Sequence, residues 1–200
     1  MRKTAAFRAR LRAQLTKPRS LRTIFIAPPA PAESGPVGTV KRLLVGIPGA
    51  GSEGLDRLAE RAFDCPDIAR RCLGTHWTNR TPGERDELVR LMRGLVARAH
   101  WGRLAGAGHA IFTGERVQGD TGWVRCWLTR ADGQRMPVEY QLHRAGGRWL
   151  ITDFTIEGTA FVKGHGGYLR GVVEGGSFDD LLWKLRLKAA ESAPANAPNI

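Results

Sequence analysis

The chain has 200 residues, of which 42% are apolar and 25% are charged, and this composition predicts one globular domain with a hydrophobic core. No apolar run approaches the ~18 residues that a transmembrane helix needs, so the sequence predicts no membrane span. The net charge of +12 does not indicate a nucleic-acid-binding protein, because eight Lys or Arg and no acid lie within residues 1–22, whereas such a domain spreads its basic residues over the folded surface.

Residues 1–36 combine this basic segment with the stretch "PAPAES", and both resemble the flanks of a secretory signal. The apolar centre between them, residues 24–27, is much shorter than the about 7 to 15 apolar residues of such a signal. The sequence therefore predicts a disordered leader or a defective export signal over residues 1–36. A basic arm that contacts anionic lipid or nucleic acid is the alternative.

Residues 49–54 carry the glycine motif G-x-G-x-x-G, which in dinucleotide-binding domains follows a buried parallel strand. Lys41 and Arg42 interrupt the apolar run before the motif, and Pro48 separates that run from the glycines. More helical sequence follows, without a second strand before residue 100. We therefore predict a connection between two helices here, and no nucleotide cofactor.

The three cysteines, Cys65, Cys72 and Cys126, are an odd number at wide spacing and imply no disulfide framework. Cys65 and Cys72 together with His76 match no common zinc spacing, and a fourth ligand is missing. Structural cysteines and no metal site are the prediction.

Two helices have clear start signals. Thr81 is the N-cap of a helix over residues 81–101, and Glu84 completes its capping box. This helix carries an apolar stripe at helical spacing, formed by Leu88, Leu91, Met92, Leu95, Val96 and Ala99. Ser177 and Asp180 give the same signal for a second helix. The residues that this second helix is predicted to bury are Phe178, Leu181, Leu182 and Leu185.

Between these helices the apolar period changes from about 3.6 to about 2, which is typical of β-strands. The connections between the predicted strands are short, so we expect neighbouring strands to pair antiparallel in chain order. The sequence predicts an α+β fold, with a four-stranded antiparallel meander sheet packed against several helices. The predicted strands cover residues 109–118, 121–130, 135–144 and 148–157.

The even-numbered positions of this sheet are predicted to face the core. They comprise Val124, Cys126, Leu128, Met136, Val138, Tyr140, Leu142, Leu150, Phe154 and Ile156. The odd-numbered positions combine polar residues with three tryptophans, and they comprise Arg125, Glu139, Gln141, His143, Asp153, Trp123, Trp127 and Trp149. Because this face carries three tryptophans, we predict that part of it is covered or lines a cavity.

Asp153 and Glu157 lie four residues apart on the last predicted strand, which separates their Cα atoms by ~13 Å. Paired catalytic carboxylates in glycosidase-type sites lie about 5 to 9.5 Å apart. We therefore predict structural roles: Asp153 accepts hydrogen bonds, and Glu157 fixes a strand-to-helix turn at Gly158. No Ser/His/Asp or Cys/His order is visible, and most of the five histidines are predicted to be solvated.

Three segments carry a resemblance to a known family: "CLGTHW" at residues 72–77, "GRWLITDFTIEGTAFV" at 147–162 and "YLRGVVEGGSFDDLLWKL" at 168–185. Together they resemble the MlaC-type periplasmic phospholipid-binding proteins, also called the toluene-tolerance auxiliary family. The resemblance extends over about residues 60–188.

The resemblance implies a single α+β domain over residues 37–188, whose sheet and helices enclose an apolar cavity for lipid acyl chains, with a frayed tail over residues 189–200. It implies a monomeric carrier, without enzymatic activity or cofactor, that shuttles phospholipid between an outer-membrane lipoprotein complex and an inner-membrane ABC transporter complex. Such transport maintains the lipid asymmetry of the outer membrane. A periplasmic location is implied too, although residues 1–36 show no intact signal peptide.

The lipid-contacting residues expected from the resemblance come from both walls of the cavity. They are Leu91, Leu95, Val124, Val138, Tyr140, Leu142, Phe154, Phe161, Tyr168, Leu169 and Val172. Each of them would serve equally well in a dry core. Three alternatives to a phospholipid carrier stay open: an isomerase-like enzyme with a helix-covered curved sheet, a carrier of a hopanoid-like or sterol-like lipid, and a pure interaction module.

Overall fold

The computed structural model describes residues 35–47, 52–104, 106–130 and 132–191. Nearly all of the predicted leader, the end of the predicted tail and two glycines of the glycine motif lie outside these ranges, so their predicted states stay predictions. None of the described helices combines the length and the apolarity that crossing a membrane requires.

Three helices come first within the described ranges: α1 (Pro36–Gly46), α2 (Ser52–Ala62) and α3 (Cys65–Leu73). A 3₁₀ turn at Gly74–Trp77 leads to the long helix α4 (Pro82–Leu104). The strands are β1 (Ala107–Gln118), β2 (Thr121–Arg130), β3 (Arg135–Ala145), β4 (Arg148–Ile156) and β5 (Thr159–Ala160), and helices α5 (Phe161–Gly175) and α6 (Phe178–Glu191) follow. Neighbouring strands pair antiparallel in chain order, which confirms the predicted α+β meander and adds a two-residue fifth strand.

Both predicted capping boxes form. The Glu84 carboxylate accepts from the Thr81 N–H at 2.7 Å, and the Thr81 hydroxyl accepts from the Glu84 N–H at 3.3 Å. At α6 the Ser177 hydroxyl accepts from the Asp180 N–H at 3.1 Å and donates to the Asp180 carboxylate at 2.7 Å. Each box satisfies N–H groups that the first turn of a helix leaves unpaired, so both helices begin where predicted. The four apolar residues predicted for α6 are all buried.

Helix α1 ends before the glycine motif, and helix α2 begins within it, at Ser52. The element before the glycines is therefore a helix and not a strand, which confirms the predicted helix-to-helix connection. Helix α1 packs on the core face of the sheet, where Gly122 makes room for it. A Cβ atom at Gly122 would lie 2.6 Å from the Pro36 Cγ atom, so this close approach requires glycine.

Helix α5 packs closely against α3. A Cβ atom at Gly166 would lie 3.1 Å from the Cys72 carbonyl oxygen, and the Arg170 guanidinium donates to the same oxygen at 2.9 Å. This hydrogen bond satisfies one of the carbonyls that the C-terminal end of a helix leaves without an internal partner. Packing and hydrogen bonding therefore hold α3 and α5 together.

The core face of the sheet follows the predicted alternation except in the first half of β4. Its buried residues are Val124, Cys126, Leu128, Met136, Val138, Tyr140, Leu142, Phe154 and Ile156. A register shift at residues 151–153 leaves Thr152 as an extra residue in β4. On the far side of this bulge Trp149 packs against the core, and Leu150 is only half-buried. The predicted faces of Trp149 and Leu150 were therefore wrong, because a bulge reverses the alternation of a strand.

The turn after β4 is a two-residue hairpin. Glu157 and Gly158 both adopt left-handed backbone conformations, with φ of 51° and 79°, as the turn of a tight β-hairpin requires. Strand β5 follows at once, and α5 begins only at Phe161, so the predicted strand-to-helix turn was wrong. Glu157 instead lies in the hairpin turn itself, where its carboxylate accepts from Arg130 at 3.1 Å.

Strand β1 is the long edge strand of the sheet. Its pairing with β2 is irregular in two places, between Ala107 and Ala110 and between Phe112 and Gly114. Along the same strand Ile111 and Val117 are exposed. The edge therefore carries apolar side chains on a backbone whose register is interrupted twice.

The cysteines are free thiols, and all three are buried. Burial raises the pKa of Cys65 to about 11 and the pKa values of Cys72 and Cys126 to about 12. They are therefore neutral at physiological pH, in agreement with the predicted structural role.

Candidate functional site

The interior between the sheet and the helices is one continuous apolar cluster. Eight of the predicted lipid-contacting residues are buried in it: Leu91, Val124, Val138, Tyr140, Leu142, Phe154, Phe161 and Leu169. Leu95 and Val172 are partly buried against the same cluster. Tyr168 lies apart, with 44% of its surface exposed. The structure thus brings together the predicted residues of both walls except Tyr168.

The two walls of this interior are in direct contact. The ring of Phe154, on the sheet, lies 5.0 Å from that of Phe161 on α5 and 5.1 Å from that of His100 on α4, measured between centroids. Phe63, which follows α2, approaches the same ring at 5.8 Å. The sheet and the helices therefore pack directly against each other, as the elements of protein interiors generally do.

A neutral polar pair lies among these aromatic rings. His100 is fully buried, and its Nε2 atom lies 2.9 Å from the hydroxyl oxygen of Tyr140. Burial lowers the pKa of His100 to about 3 and raises the pKa of Tyr140 well above its usual value. Both side chains are therefore uncharged at neutral pH, since burial disfavours the charged form of each.

Two nitrogen atoms beside this pair have no hydrogen-bond partner within the described part of the chain. They are the His100 Nδ1 and the Trp101 Nε1, and both are buried. The two rings lie 4.3 Å apart between centroids. A buried polar atom without a partner costs about 1–3 kcal/mol of stability, and phenylalanine at either position would avoid that cost.

A line of rings connects the polar pair to the surface. Phe154 contacts Phe161, whose ring stacks on that of the half-buried His165 at 4.1 Å between centroids. Burial lowers the pKa of His165, and the nearby positive charges of Lys188 and Arg103 lower it further. We call His165, Lys188 and Arg103 the basic rim. The charges of Lys188 and Arg103 thus act on the ring at the outer end of this line.

A groove of about 470 Å³ lies between α5 and α6. Its floor is a face of α5 without side chains, formed by Gly167, Gly171 and Gly175. The exposed aromatic rings of Tyr168 and Trp183 line the same groove. Tyr168 therefore belongs to a surface groove and not to the interior cluster.

The outer face of the sheet, opposite the helices, has a depression of about 590 Å³. Its lining is charged and aromatic: the Arg116 guanidinium lies 4.1 Å from the centroid of the half-buried Trp123 ring, and Arg125 pairs with Glu139 at 2.9 Å. Trp123 lines this depression, as predicted for part of the face, whereas Trp127 is exposed.

Asp153 has the structural role that the sequence predicted. Its carboxylate accepts from the backbone N–H of Phe154 at 2.8 Å and from that of Val162 at 3.1 Å. The Arg71 guanidinium lies 3.9 Å from the other carboxylate oxygen. Asp153 thereby joins β4 to the first turn of α5.

Asp64 and His143 form another acid–base contact, at 2.7 Å. The second oxygen of Asp64 accepts from the Asp67 N–H at 2.9 Å and so caps helix α3. This pair too is explained by its place in the fold. Within the described ranges, no three His, Cys, Asp or Glu residues are grouped so that they could hold a metal ion.

Comparison with known proteins identifies the family of the chain. The model of the MlaC protein family matches residues 48–187. The chain belongs to the MlaC family. Its fold is similar to the solved structure of the phospholipid-binding protein from Ralstonia solanacearum in complex with a phospholipid, with a TM-score of 0.65 and 18% sequence identity over 76% of this chain and 96% of that chain. No curated protein matches the sequence significantly.

In this MlaC-family interior, the sequence prediction missed His100 and Trp101. Most histidines were predicted to be solvated, and His100 is an exception, since it is fully buried. A signal was present, because His100 follows Val96 by four residues and so continues the apolar stripe of α4. The unpartnered state of its Nδ1 atom carries no sequence signal, since it depends on contacts between α4 and β3.

Proposed function

We propose that this MlaC-family chain is a phospholipid-binding carrier that holds acyl chains between the core face of the sheet and helices α4 and α5. The observation that carries the proposal is the uncharged interior in which predicted residues of both walls meet. The fold is shared with the Ralstonia solanacearum phospholipid-binding protein, which supports a lipid as the ligand.

The energy of lipid burial explains why such an interior is sufficient for a carrier. Two chains of about 16 carbons carry ~30 methylene and methyl groups, each contributing ~0.8 kcal/mol on removal from water. The gross contribution is on the order of 25 kcal/mol, so free lipid monomers are very scarce in water. A closed apolar space allows a monomer to cross water, and no bond has to be made or broken.

Helix α5 is the wall that we expect to move. Five of its fifteen residues are glycine, and each glycine costs about 0.8–1 kcal/mol of helix stability relative to alanine. A helix of this composition depends on its packing for stability. Acyl chains that take over the contacts of Phe161 and Leu169 can therefore displace it without breaking a strong element.

In this proposal the lipid headgroup stays in water at the basic rim. Lys188 and Arg103 supply positive charge next to the end of the line of rings, which suits a phosphate. The contact is at the surface, so we expect binding to tolerate different headgroups and to depend strongly on chain length.

The cellular role is proposed from the family resemblance. The carrier would work in the periplasm, as a monomer between an outer-membrane lipoprotein complex and an inner-membrane ABC transporter complex, and would maintain outer-membrane lipid asymmetry. Fractionation of cells that produce the full chain tests the location. Recovery of the protein in the cytoplasm alone would contradict this role without contradicting lipid binding.

Mass spectrometry of an organic extract of the purified protein tests the ligand. We expect phospholipid to co-purify, and lipid-stripped protein to take up a fluorescent phospholipid from vesicles and to melt at a higher temperature when loaded. A protein that purifies without lipid and takes up none sinks the proposal. An extract that contains only a hopanoid-like or sterol-like lipid would replace the phospholipid by that cargo.

A pair of matched variants tests the place of the chains. Val138→Trp puts a large side chain on the core face and is expected to abolish uptake of the fluorescent phospholipid. Val117→Trp makes the same change at an exposed position of β1 and should leave uptake unchanged. Circular dichroism checks that both variants fold. If folded Val138→Trp bound lipid like the wild type, the chains would have to lie elsewhere.

A further inference from the structure

The buried nitrogens of His100 and Trp101 point to a polar contact within the interior. Both atoms are shielded from solvent, and neither has a hydrogen-bond partner among the described residues. We propose that they bind the ester carbonyl oxygen of a glycerolipid chain. This inference rests on the proposed lipid-binding function and adds the chemical group that the interior recognises.

The chemistry of the two side chains makes both atoms donors. The Trp101 indole nitrogen can only donate. At His100, the Tyr140 hydroxyl lies 2.9 Å from Nε2. A phenol is a better donor than acceptor, whereas a neutral imidazole nitrogen is a good acceptor. Tyr140 therefore donates to Nε2, and the single proton of the His100 ring lies on Nδ1. The group that meets these two N–H donors has to be an acceptor.

The surroundings select an uncharged acceptor. His100 is neutral, and the rings of Phe63, Tyr140 and Phe154 that surround it supply no counter-charge. A phosphate or carboxylate here would be a buried, unpaired anion, which is strongly unfavourable. A carbonyl oxygen accepts two hydrogen bonds without that penalty, because it has two lone pairs and no net charge.

The polar pair lies deeper in the protein than the basic rim. At the surface lies the basic rim, one step inside lie Phe161 and Phe154, and next to them lies the polar pair. In a phospholipid the esters are likewise the uncharged polar groups that lie further from solvent than the charged phosphate. With the phosphate at the rim, the glycerol esters are the first uncharged oxygens that can reach inward.

The test compares a diester phosphatidylcholine with a diether analogue of equal chain length and headgroup, each competing with one fluorescent phospholipid for lipid-stripped protein. The diether lacks only the carbonyl oxygens. We expect the wild type to bind the diester about two- to tenfold more tightly, which is the effect of one net hydrogen bond between neutral groups.

Single substitutions then locate the contact. Trp101→Phe and His100→Phe keep an aromatic ring and remove a donor, so each is expected to bring the diester preference down towards one. Tyr140→Phe leaves His100 free to change its tautomer and should weaken the preference. Trp123→Phe removes an indole N–H from the outer face of the sheet and should keep the wild-type preference.

Stability separates this role from a structural one. Because the lipid-free protein leaves both donors unpaired, removing the Trp101 N–H offsets the cost of the smaller ring, so Trp101→Phe should melt near the wild-type temperature while losing ester preference. If His100→Phe does not fold, the diester preference of Trp101→Phe alone tests the inference. Equal wild-type affinity for the two lipids, as expected if a buried water satisfies both donors, would overturn the inference and leave the carrier proposal intact. An undiminished diester preference in Trp101→Phe would overturn the inference as well. A wild-type protein that binds neither the diester nor the diether would contradict the carrier proposal itself.

Discussion

The two faces of the sheet differ in charge although the same strands form both. On the inner face Val138, Tyr140 and Leu142 are buried, and on the outer face Glu139 lies between Val138 and Tyr140, paired with Arg125. Alternate residues of a strand point to opposite faces, so one short segment supplies both surfaces. The contrast shows that the interior excludes charged groups even where it contains polar side chains. Its buried histidine and tyrosine are held in neutral form.

The largest expected loss of stability comes from placing a charge on the inner face of the sheet. Val138→Asp would bury a carboxylate without a partner and should lower the free energy of unfolding by at least about 3 kcal/mol, if the variant folds at all. Val117→Asp, the same change at an exposed position of β1, should stay within about 0.5 kcal/mol of the wild type. Urea denaturation measures both. Equal stability of the two variants would show that the inner face is wet.

The next effect is the pH dependence that a buried neutral histidine imposes. The pKa of His100 is about 3 in the folded protein and has its ordinary value of 6.5 when unfolded, so the unfolded state takes up a proton first as the pH falls. Stability is therefore lost below pH 6.5, and between pH 7 and pH 5 the loss due to His100 amounts to about 2 kcal/mol.

Urea denaturation at both pH values should show this loss in the wild type and not in His100→Phe. The exposed His109 provides the control, since His109→Gln should keep the wild-type pH dependence. A His100→Phe variant with the full wild-type loss would mean that His100 is already solvated in the folded protein.

The same contrast between inside and outside holds for the two sides of α5. Gly166→Ala would place a Cβ atom 3.1 Å from the Cys72 carbonyl oxygen and should lower stability by about 1 kcal/mol. Gly171→Ala would place its Cβ atom in open space and should raise stability by about 0.5–1 kcal/mol through helix propensity. Thermal melts of the two variants should therefore shift in opposite directions. A stabilising Gly166→Ala would show that α3 and α5 are not tightly packed.

The smallest effect is expected on the outer face. Glu139→Gln removes the ion pair with Arg125, whose side chains are 54% and 70% exposed, and should cost less than about 1 kcal/mol. Because exposed charges are screened, the difference should shrink further in high salt. A loss comparable to that of Val138→Asp would contradict the assignment of this face to solvent.

The sequence predicts those features of the fold that depend on local chemistry. The capping residues at Thr81 and Ser177 mark the starts of two helices, and the alternation of apolar residues gives β2 its observed bounds. The bulge at Thr152 was missed, because one extra residue in a strand leaves no mark in a pattern that is already short. It reverses the faces of Trp149 and Leu150.

The candidate site was predictable only in part, for the same reason. The apolar residues of both walls follow from periodicity together with the family resemblance. The hydrogen bond between His100 and Tyr140 joins residues that are 40 positions apart in sequence, so only the packing of α4 on β3 reveals it. The basic rim likewise joins the end of α4 to the second turn of α5 and to the last turn of α6.

The interrupted register of β1 has a consequence for the protein in concentrated solution. A long edge strand with exposed apolar side chains is a template on which strands of other copies can add, and fibres grow in this way. Successive strands need an even row of N–H and C=O groups, and the irregularities next to Ala107 and Phe112 break that row. An edge strand with such an interrupted backbone is a poorer template for this addition than a regular strand.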